Sequence, residues 1–167
     1  MPAVVSDASV LIYLGALQRL DLLQNFFQEV LVAQAVWREV TCAARSRPGA
    51  KETIEAGRQG WLKVRSPQNL ALVASLQTTL DAGEAESIAL ASESGALLLL
   101  MDESEGRAKA RALGLAVTGT LGVLLRAKNS KAVPALKPLL DALITQFNFR
   151  LSRPLYEQAL RQVGEAP

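Results

Sequence analysis

Ala96-Leu97-Leu98-Leu99-Leu100-Met101-Asp102 decides the fold. Six apolar residues in succession leave no polar face, which is the pattern of a strand covered on both sides inside a parallel sheet. Gly95 stops whatever precedes the run, and Asp102 delivers a carboxylate at its far end. Working upstream, Asp81-Ala82-Gly83-Glu84 signals the start of a helix over residues 85–94. Downstream, residues 103–113 read as a helix closed by Gly114, followed by a short strand at 116–118 and a helix at 121–127. Strand and helix alternate around the central run.

The same alternation extends to both ends. Residues 3–6 form an apolar run ending at Asp7, and Leu14, Leu17, Leu20 and Leu23 recur at helical spacing within a helix expected over 9–27. A second strand is expected at 29–32 and a helix at 34–44 with Val36, Trp37 and Val40 on its apolar side. Arg45-Ser46-Arg47-Pro48-Gly49 breaks that helix. A short helix at 51–56 is closed by Gly57 and Gly60, a minor strand follows at 61–64, and another helix at 69–76. Residues 134–146 and 152–163 read as two further helices, the second with Ser152 as N-cap and Pro154 in its first turn. The expectation is an α/β three-layer sandwich with a mainly parallel sheet of four or five short strands. One domain over 1–167 is expected, with 131–167 a helical extension packed on it. There is no internal repeat and no low-complexity tract.

Composition narrows the chemistry. Half of the 167 residues are apolar and a fifth are charged, enough to bury a full core. The longest apolar run falls far short of the ~18–20 residues that cross a bilayer. Met1-Pro2-Ala3-Val4-Val5-Ser6-Asp7 has no basic leader, so a cytoplasmic protein is expected. The chain contains no histidine and one cysteine, Cys42, expected to be a small buried apolar residue. These counts exclude Ser-His-Asp and Cys-His pairs, imidazole-ligated metals and an intramolecular disulfide. Carboxylates, hydroxyls, lysine, arginine or a hard metal ion must carry any catalysis.

The net charge of +2 hides an asymmetry. Residues 1–105 carry 8 basic and 13 acidic side chains, whereas 106–153 carry nine basic residues against Asp141 alone. Such a division suits a protein holding a polyanion beside a carboxylate site, although solvated helix faces explain it equally well.

Ligands bind beyond the carboxyl ends of parallel strands. Asp7 and Asp102 stand at two such ends, and they approach each other if their strands are neighbours. Glu84 opens the helix that leads into the Asp102 strand, at the same rim, and Glu39 sits between Val36 and Val40 on a helix that can face it. Clustered carboxylates repel and normally persist around a cation. With only oxygen donors on offer, Mg²⁺ or Mn²⁺ is the natural occupant, suited to phosphodiester hydrolysis. Each acid also has a plainer role. Asp7 stands at a helix start, where Ser6 or Ser9 could serve as the cap instead; Glu84 complements a helix dipole, with Glu86 on the opposite face; Glu39 is a solvated helix residue; Asp102 caps the next helix with Glu105 as partner. Ser9 and Thr120 are short hydroxyls at helix starts that cap or hold a metal-bound water. Arg107 and Lys109 contact a phosphate or are simply solvated. Trp37 and Trp61 are read as core or interface residues.

Five segments in order carry a resemblance: Val5-Ser6-Asp7-Ala8-Ser9, Val36-Trp37-Arg38-Glu39-Val40, residues 81–91 from Asp81 through Glu84 to Ala91, Leu100-Met101-Asp102-Glu103, and Gly114-Leu115-Ala116-Val117-Thr118-Gly119-Thr120-Leu121-Gly122. Together they resemble the PIN-domain superfamily, and within it a prokaryotic branch related to VapC toxins. The likeness covers nearly the whole chain. It implies a metal-dependent ribonuclease in which Asp7, Glu39, Glu84 and Asp102 hold Mg²⁺ or Mn²⁺, with Glu103 or Glu105 as a further ligand. Arg107, Lys109 and Arg126 are the candidate RNA contacts, and a small antitoxin and a homodimer are the implied partners. An aspartyl-phosphate phosphatase is the weaker enzymatic alternative, because Ser9 stands where that chemistry wants a second aspartate. An inactive protein- or RNA-binding module is the alternative outside enzymology.

Overall fold

The computed structural model describes residues 3–42 and 47–167. Two compact units divide the chain, the first ending at Thr120 and the second running from Leu121 to Pro167.

The first unit is built on five parallel strands: β1 (Val4–Ser6), β2 (Val30–Ala33), β3 (Leu62–Arg65), β4 (Leu98–Leu100) and β5 (Val117–Thr118). Their spatial order is β3-β2-β1-β4-β5, so β1 is central and β4 is its direct neighbour. Val4 pairs with Leu98, Val5 with Leu99 and Ser6 with Leu100. The ladder continues one step further, the Asp7 N–H donating to Leu100 O at 2.8 Å. Parallel neighbours need crossovers, which the helices provide: α1 (Ala8–Ala16) and α2 (Asp21–Phe27) lead to β2, α3 (Gln34–Thr41) and α4 (Ala50–Gln59) to β3, α5 (Leu70–Leu76) and α6 (Ala82–Glu93) to β4, and α7 (Ser104–Ala112) to β5. Helices cover the sheet faces to give the three-layer α/β arrangement. Val5, Val30, Val32, Leu99, Leu100 and Met101 are completely buried, and Leu11, Leu14, Val36 and Ile88 close over them from the helices. Apolar burial of this kind is the main force holding such layers together.

Several local expectations are corrected. The helix expected over 9–27 is two helices. Leu17 ends α1, Gln18 takes a left-handed conformation with φ 56°, and the bonds Gln18 N to Gly15 O and Arg19 N to Leu14 O complete a Schellman motif. Glutamine occupies the position that glycine usually marks. At Gly95 and Gly114 the same motif has its usual residue at φ 62° and 81°, which is why those stops are legible in the sequence. Gly57 does not end α4; the helix runs through it and stops at Gly60. Helix α3 is described as far as Thr41, and the expected end at Ala44 and the break beginning at Arg45 and Ser46 lie outside the described residues. Cys42 is an exposed free thiol, not a buried one, because it follows the last turn of α3 instead of lying on its Val36–Val40 face.

The second unit contains α8 (Thr120–Asn129), which begins at the last residue of the first, with α9 (Lys137–Gln146) and α10 (Arg153–Gln162). Leu124, Leu136, Leu140, Leu143 and Leu160 are fully buried. The Glu165 carboxylate accepts from the N–H groups of Leu136 and Lys137 and so satisfies the start of α9. Tyr156 donates its hydroxyl hydrogen to Asp141, and Lys137 Nζ donates to both at 2.9 Å. Among the described residues no helix is long and apolar enough to cross a membrane.

Candidate metal centre at the carboxyl rim of the sheet

Asp7 leaves β1 at the rim and occupies the N-cap position of α1, yet its side chain makes no capping hydrogen bond. It is only 4% exposed. Burial raises its carboxyl from an ordinary 3.8 to about 8; the Ala8 backbone N–H favours the ionised form, while Glu84, Asp81 and Glu39 push further upward. Ser9, two residues on, has a buried Oγ with no partner among the described residues.

Glu84 is the third residue of α6 and belongs to a capping box: Asp81 Oδ1 accepts from the Glu84 N–H at 2.8 Å, and Glu84 Oε2 from the Asp81 N–H at 3.1 Å. Its carboxyl is raised by burial, lowered by the Asp81 N–H, and raised again by the charges of Asp81, Glu103 and Glu39. Glu39 comes from α3. It meets the first turn of α6, where a Cβ added at Gly83 would lie 3.1 Å from Glu39 Oε2 and 3.6 Å from Asp81 Oδ1. Burial and Asp81 raise the Glu39 carboxyl, and Arg47, whose Nη1 lies 3.7 Å from Glu39 Oε1, lowers it. Asp7, Glu39 and Glu84 therefore act on one another electrostatically, with Asp81 acting on all three.

Asp102 is placed at the end of the strand beside Asp7 but is held differently. Its Oδ1 accepts from the Thr120 N–H and its Oδ2 from Thr120 Oγ1, both at 2.7 Å. The expectation that it caps the next helix with Glu105 is corrected: Glu103 is the N-cap of α7, accepting from the Glu105 N–H at 3.4 Å. Each Asp102 oxygen keeps a second lone pair for another donor or a cation. Gly119 makes the fork possible, since a Cβ there would stand 2.5 Å from Asp102 Oδ1 and 2.8 Å from Arg107 Nη1. Of the two acids after Asp102, it is Glu103 whose charge acts on Glu84.

Arg107 donates from Nη1 to Met101 O at 3.0 Å, so part of its guanidinium braces the rim. Burial lowers its pKa, Arg111 adds to that, and Asp102 opposes it. Lys109 is half-buried on α7, and Arg126 is exposed on α8 in the second unit. Glu86 turns to the start of α3, accepting from the Ala35 N–H at 2.9 Å.

Two residues of this neighbourhood are not legible as site residues in the sequence. Asp81 reads there as a helix-start signal, although the capping box that it forms with Glu84 places a second carboxylate beside the first. Arg47 reads as part of a helix breaker, and nothing in its local pattern ties it to Glu39.

The donor set contains carboxylate and hydroxyl oxygens with no imidazole, the chemistry of a hard cation. Asp7 is a buried carboxylate pushed further upward by three others. The cations near the rim, Arg47 beside Glu39 and Arg107 beside Asp102, are fewer than the acids, so the arrangement is short of positive charge. By donor chemistry and charge the residues fit a divalent ion. Their side chains are not drawn into a finished cage: among the described residues no group of three or more aspartate, glutamate or cysteine side chains is close enough to hold a metal as it stands.

The first unit is thus a five-stranded parallel α/β sheet with carboxylates gathered at its carboxyl rim. The family model described as a PIN domain matches residues 3–165, nearly the whole chain across both units, and the chain belongs to this family. PIN domains are a nuclease-type fold that typically uses divalent metal ions. No curated protein matches the chain.

Proposed function

We propose that this protein is a Mg²⁺- or Mn²⁺-dependent endoribonuclease. The observation that carries the reading is the buried, uncapped Asp7 carboxylate at the end of the central strand, with Glu84 and Glu39 acting on it from two helices. Asp7, Glu39, Glu84 and Asp102 would hold the ion, with Glu103 nearer to them than Glu105 in its effect. When bound, the ion supplies water activation and stabilisation of charge on a phosphoryl oxygen. The chain's own groups do the rest. Thr120 fixes both Asp102 oxygens, leaving one lone pair of each directed elsewhere. Ser9 Oγ is available to orient a water. Burial of Asp7 excludes bulk solvent from the innermost ligand, which strengthens its hold on a cation. Lys109 and Arg126, with what remains of the Arg107 fork, meet RNA phosphates.

The likeness to the VapC-related branch supports the finer proposal that the protein is the toxin of a toxin–antitoxin pair, active in the cytoplasm as a homodimer and neutralised by a small antitoxin. The match across 3–165 supports treating the chain as one PIN-like domain with 131–167 as its helical extension. A second reading, a PIN fold that binds RNA or protein without cutting, is favoured by the absence of a closed three-carboxylate group among the described residues. Incubating the purified chain with labelled RNA and Mn²⁺ separates the two. Cleavage that Asp7→Asn abolishes supports the nuclease; RNA binding without cleavage by the wild-type chain supports the module.

A further inference from the structure

The sheet has an open edge at β3. Among the described residues β3 hydrogen-bonds to β2 alone. The Val30 N–H donates to Trp61 O, and in a parallel ladder alternate residues point their backbone groups to opposite sides. Trp61, Lys63 and Arg65 therefore face β2, and the N–H and C=O of Val64 face outward. Val64 is 37% exposed.

A groove of about 480 Å³ runs along this edge, floored by Trp37, Ile54, Leu62 and Val64. Ile54 is 40% exposed. The groove has a structural cause in α4, where Gly57 replaces a side chain that would stand 2.8 Å from Trp37 Cη2. Glycine inside a helix weakens it, and here it lets the indole lie against the helix backbone. The rim carries Arg58, Lys63 and Arg65, and among the described residues no carboxylate lines the groove. Glu55 and Glu29 pair with Arg58 and Lys63 from outside it, at 3.4 and 2.7 Å, in solvent-exposed pairs that an incoming carboxylate can replace.

Charged residues on an edge strand usually guard it against pairing. Here they select the partner. A second copy laid on the same edge would bring Lys63 and Arg65 against their own counterparts, and like charges across paired strands repel. RNA would stack bases on an open aromatic face, but the Trp37 ring is packed on Gly57. An extended chain bearing carboxylates satisfies the unpaired backbone, the apolar floor and the basic rim together. We propose that the β3 edge receives an acidic peptide segment as a sixth strand, bonded to the Val64 backbone, with alternate apolar side chains in the groove and its carboxylates on Arg58, Lys63 and Arg65. The proposal does not depend on the nuclease reading.

The test uses the full chain and a fluorescent peptide of about eight residues alternating valine and glutamate, a length that spans the edge strand. Fluorescence anisotropy should show saturable binding that salt weakens. Val64→Pro removes an outward N–H that β2 does not use, and Arg65→Glu reverses the rim; each should weaken binding about tenfold or more. Hydrogen exchange should show the Val64 amide protected when peptide is present. If Val64→Pro does not fold, the exposed Arg65→Glu variant decides. Absence of saturable binding, equal binding by Arg65→Glu, equal binding of a valine–lysine peptide, or displacement from this edge by an oligoribonucleotide would each overturn the proposal.

Discussion

Replacing Asp7 by asparagine should stabilise the metal-free protein while removing its activity. The Asp7 carboxyl lies at 3.8 when unfolded and about 8 when folded, so folding takes up a proton. Its contribution is fully present below pH 3.8 and is lost as the pH rises toward 8. At 1.36 kcal/mol per unit, the wild type at about pH 7 gives up about 4 kcal/mol that asparagine, having no proton to lose, does not. Against a usual domain stability of about 5–15 kcal/mol this is large. Urea unfolding with chelator present should place the variant midpoint about 2 M higher near neutral pH, for a slope of about 2 kcal/mol per M, and bring the two midpoints together near pH 4. Mn²⁺ at about 100 times its dissociation constant should then return about 2.7 kcal/mol to the wild type and much less to the variant. Equal midpoints in chelator at neutral pH, or equal rescue of both proteins by Mn²⁺, would refute the claim that Asp7 is a buried, cation-starved carboxylate.

Three further outcomes are expected. Gly119→Ala should displace the Asp102 carboxylate by steric overlap, lowering RNA cleavage more than about tenfold with little change in the circular-dichroism spectrum; unchanged cleavage would show that the Thr120 fork is not needed. Charge reversal at Lys109 or Arg126 should flatten the salt dependence of RNA binding by about 0.7 for each phosphate that is no longer neutralised, with a smaller change for Arg107, which is already bonded to Met101 O; an unchanged salt slope in all three variants would remove these residues from the RNA interface. The Tyr156 hydroxyl, helped by Lys137, holds the Asp141 carboxyl below its ordinary 3.8, so its support of the second unit is present above that pH and disappears as the pH falls through the folded value. Tyr156→Phe should move the Asp141 titration upward by NMR, and an unmoved titration would break that link.

Much of the architecture is legible in the sequence because its cues are local. The apolar run between Gly95 and Asp102 announces a strand, and Leu99, Leu100 and Met101 are buried as that pattern predicts. The strand spans only Leu98–Leu100, however, and Leu97 just before it is 63% exposed, so the first part of the run is not covered on both faces. The Asp81–Glu84 spacing announces a capped helix. The features that stay hidden depend on partners distant in sequence or on backbone bonds. The turn at Gln18 is stabilised by backbone bonds to Gly15 and Leu14, so the residue type gives no warning. Gly57 looks like a helix stop until Trp37, twenty residues earlier in the chain, is seen packed upon it. For the candidate site, strand ends point to Asp7 and Asp102, but only tertiary structure shows that Thr120 takes both oxygens of Asp102, or that Asp81 and Arg47 share the neighbourhood of Glu39.

The most direct measurement is the anomalous diffraction of a crystal soaked in Mn²⁺. A peak is expected within carboxylate bonding distance, about 2.0–2.2 Å, of Asp7 and at least one of Glu39, Glu84 and Asp102. A well-diffracting soaked crystal with no peak at that rim, or with manganese bound only elsewhere, would contradict it.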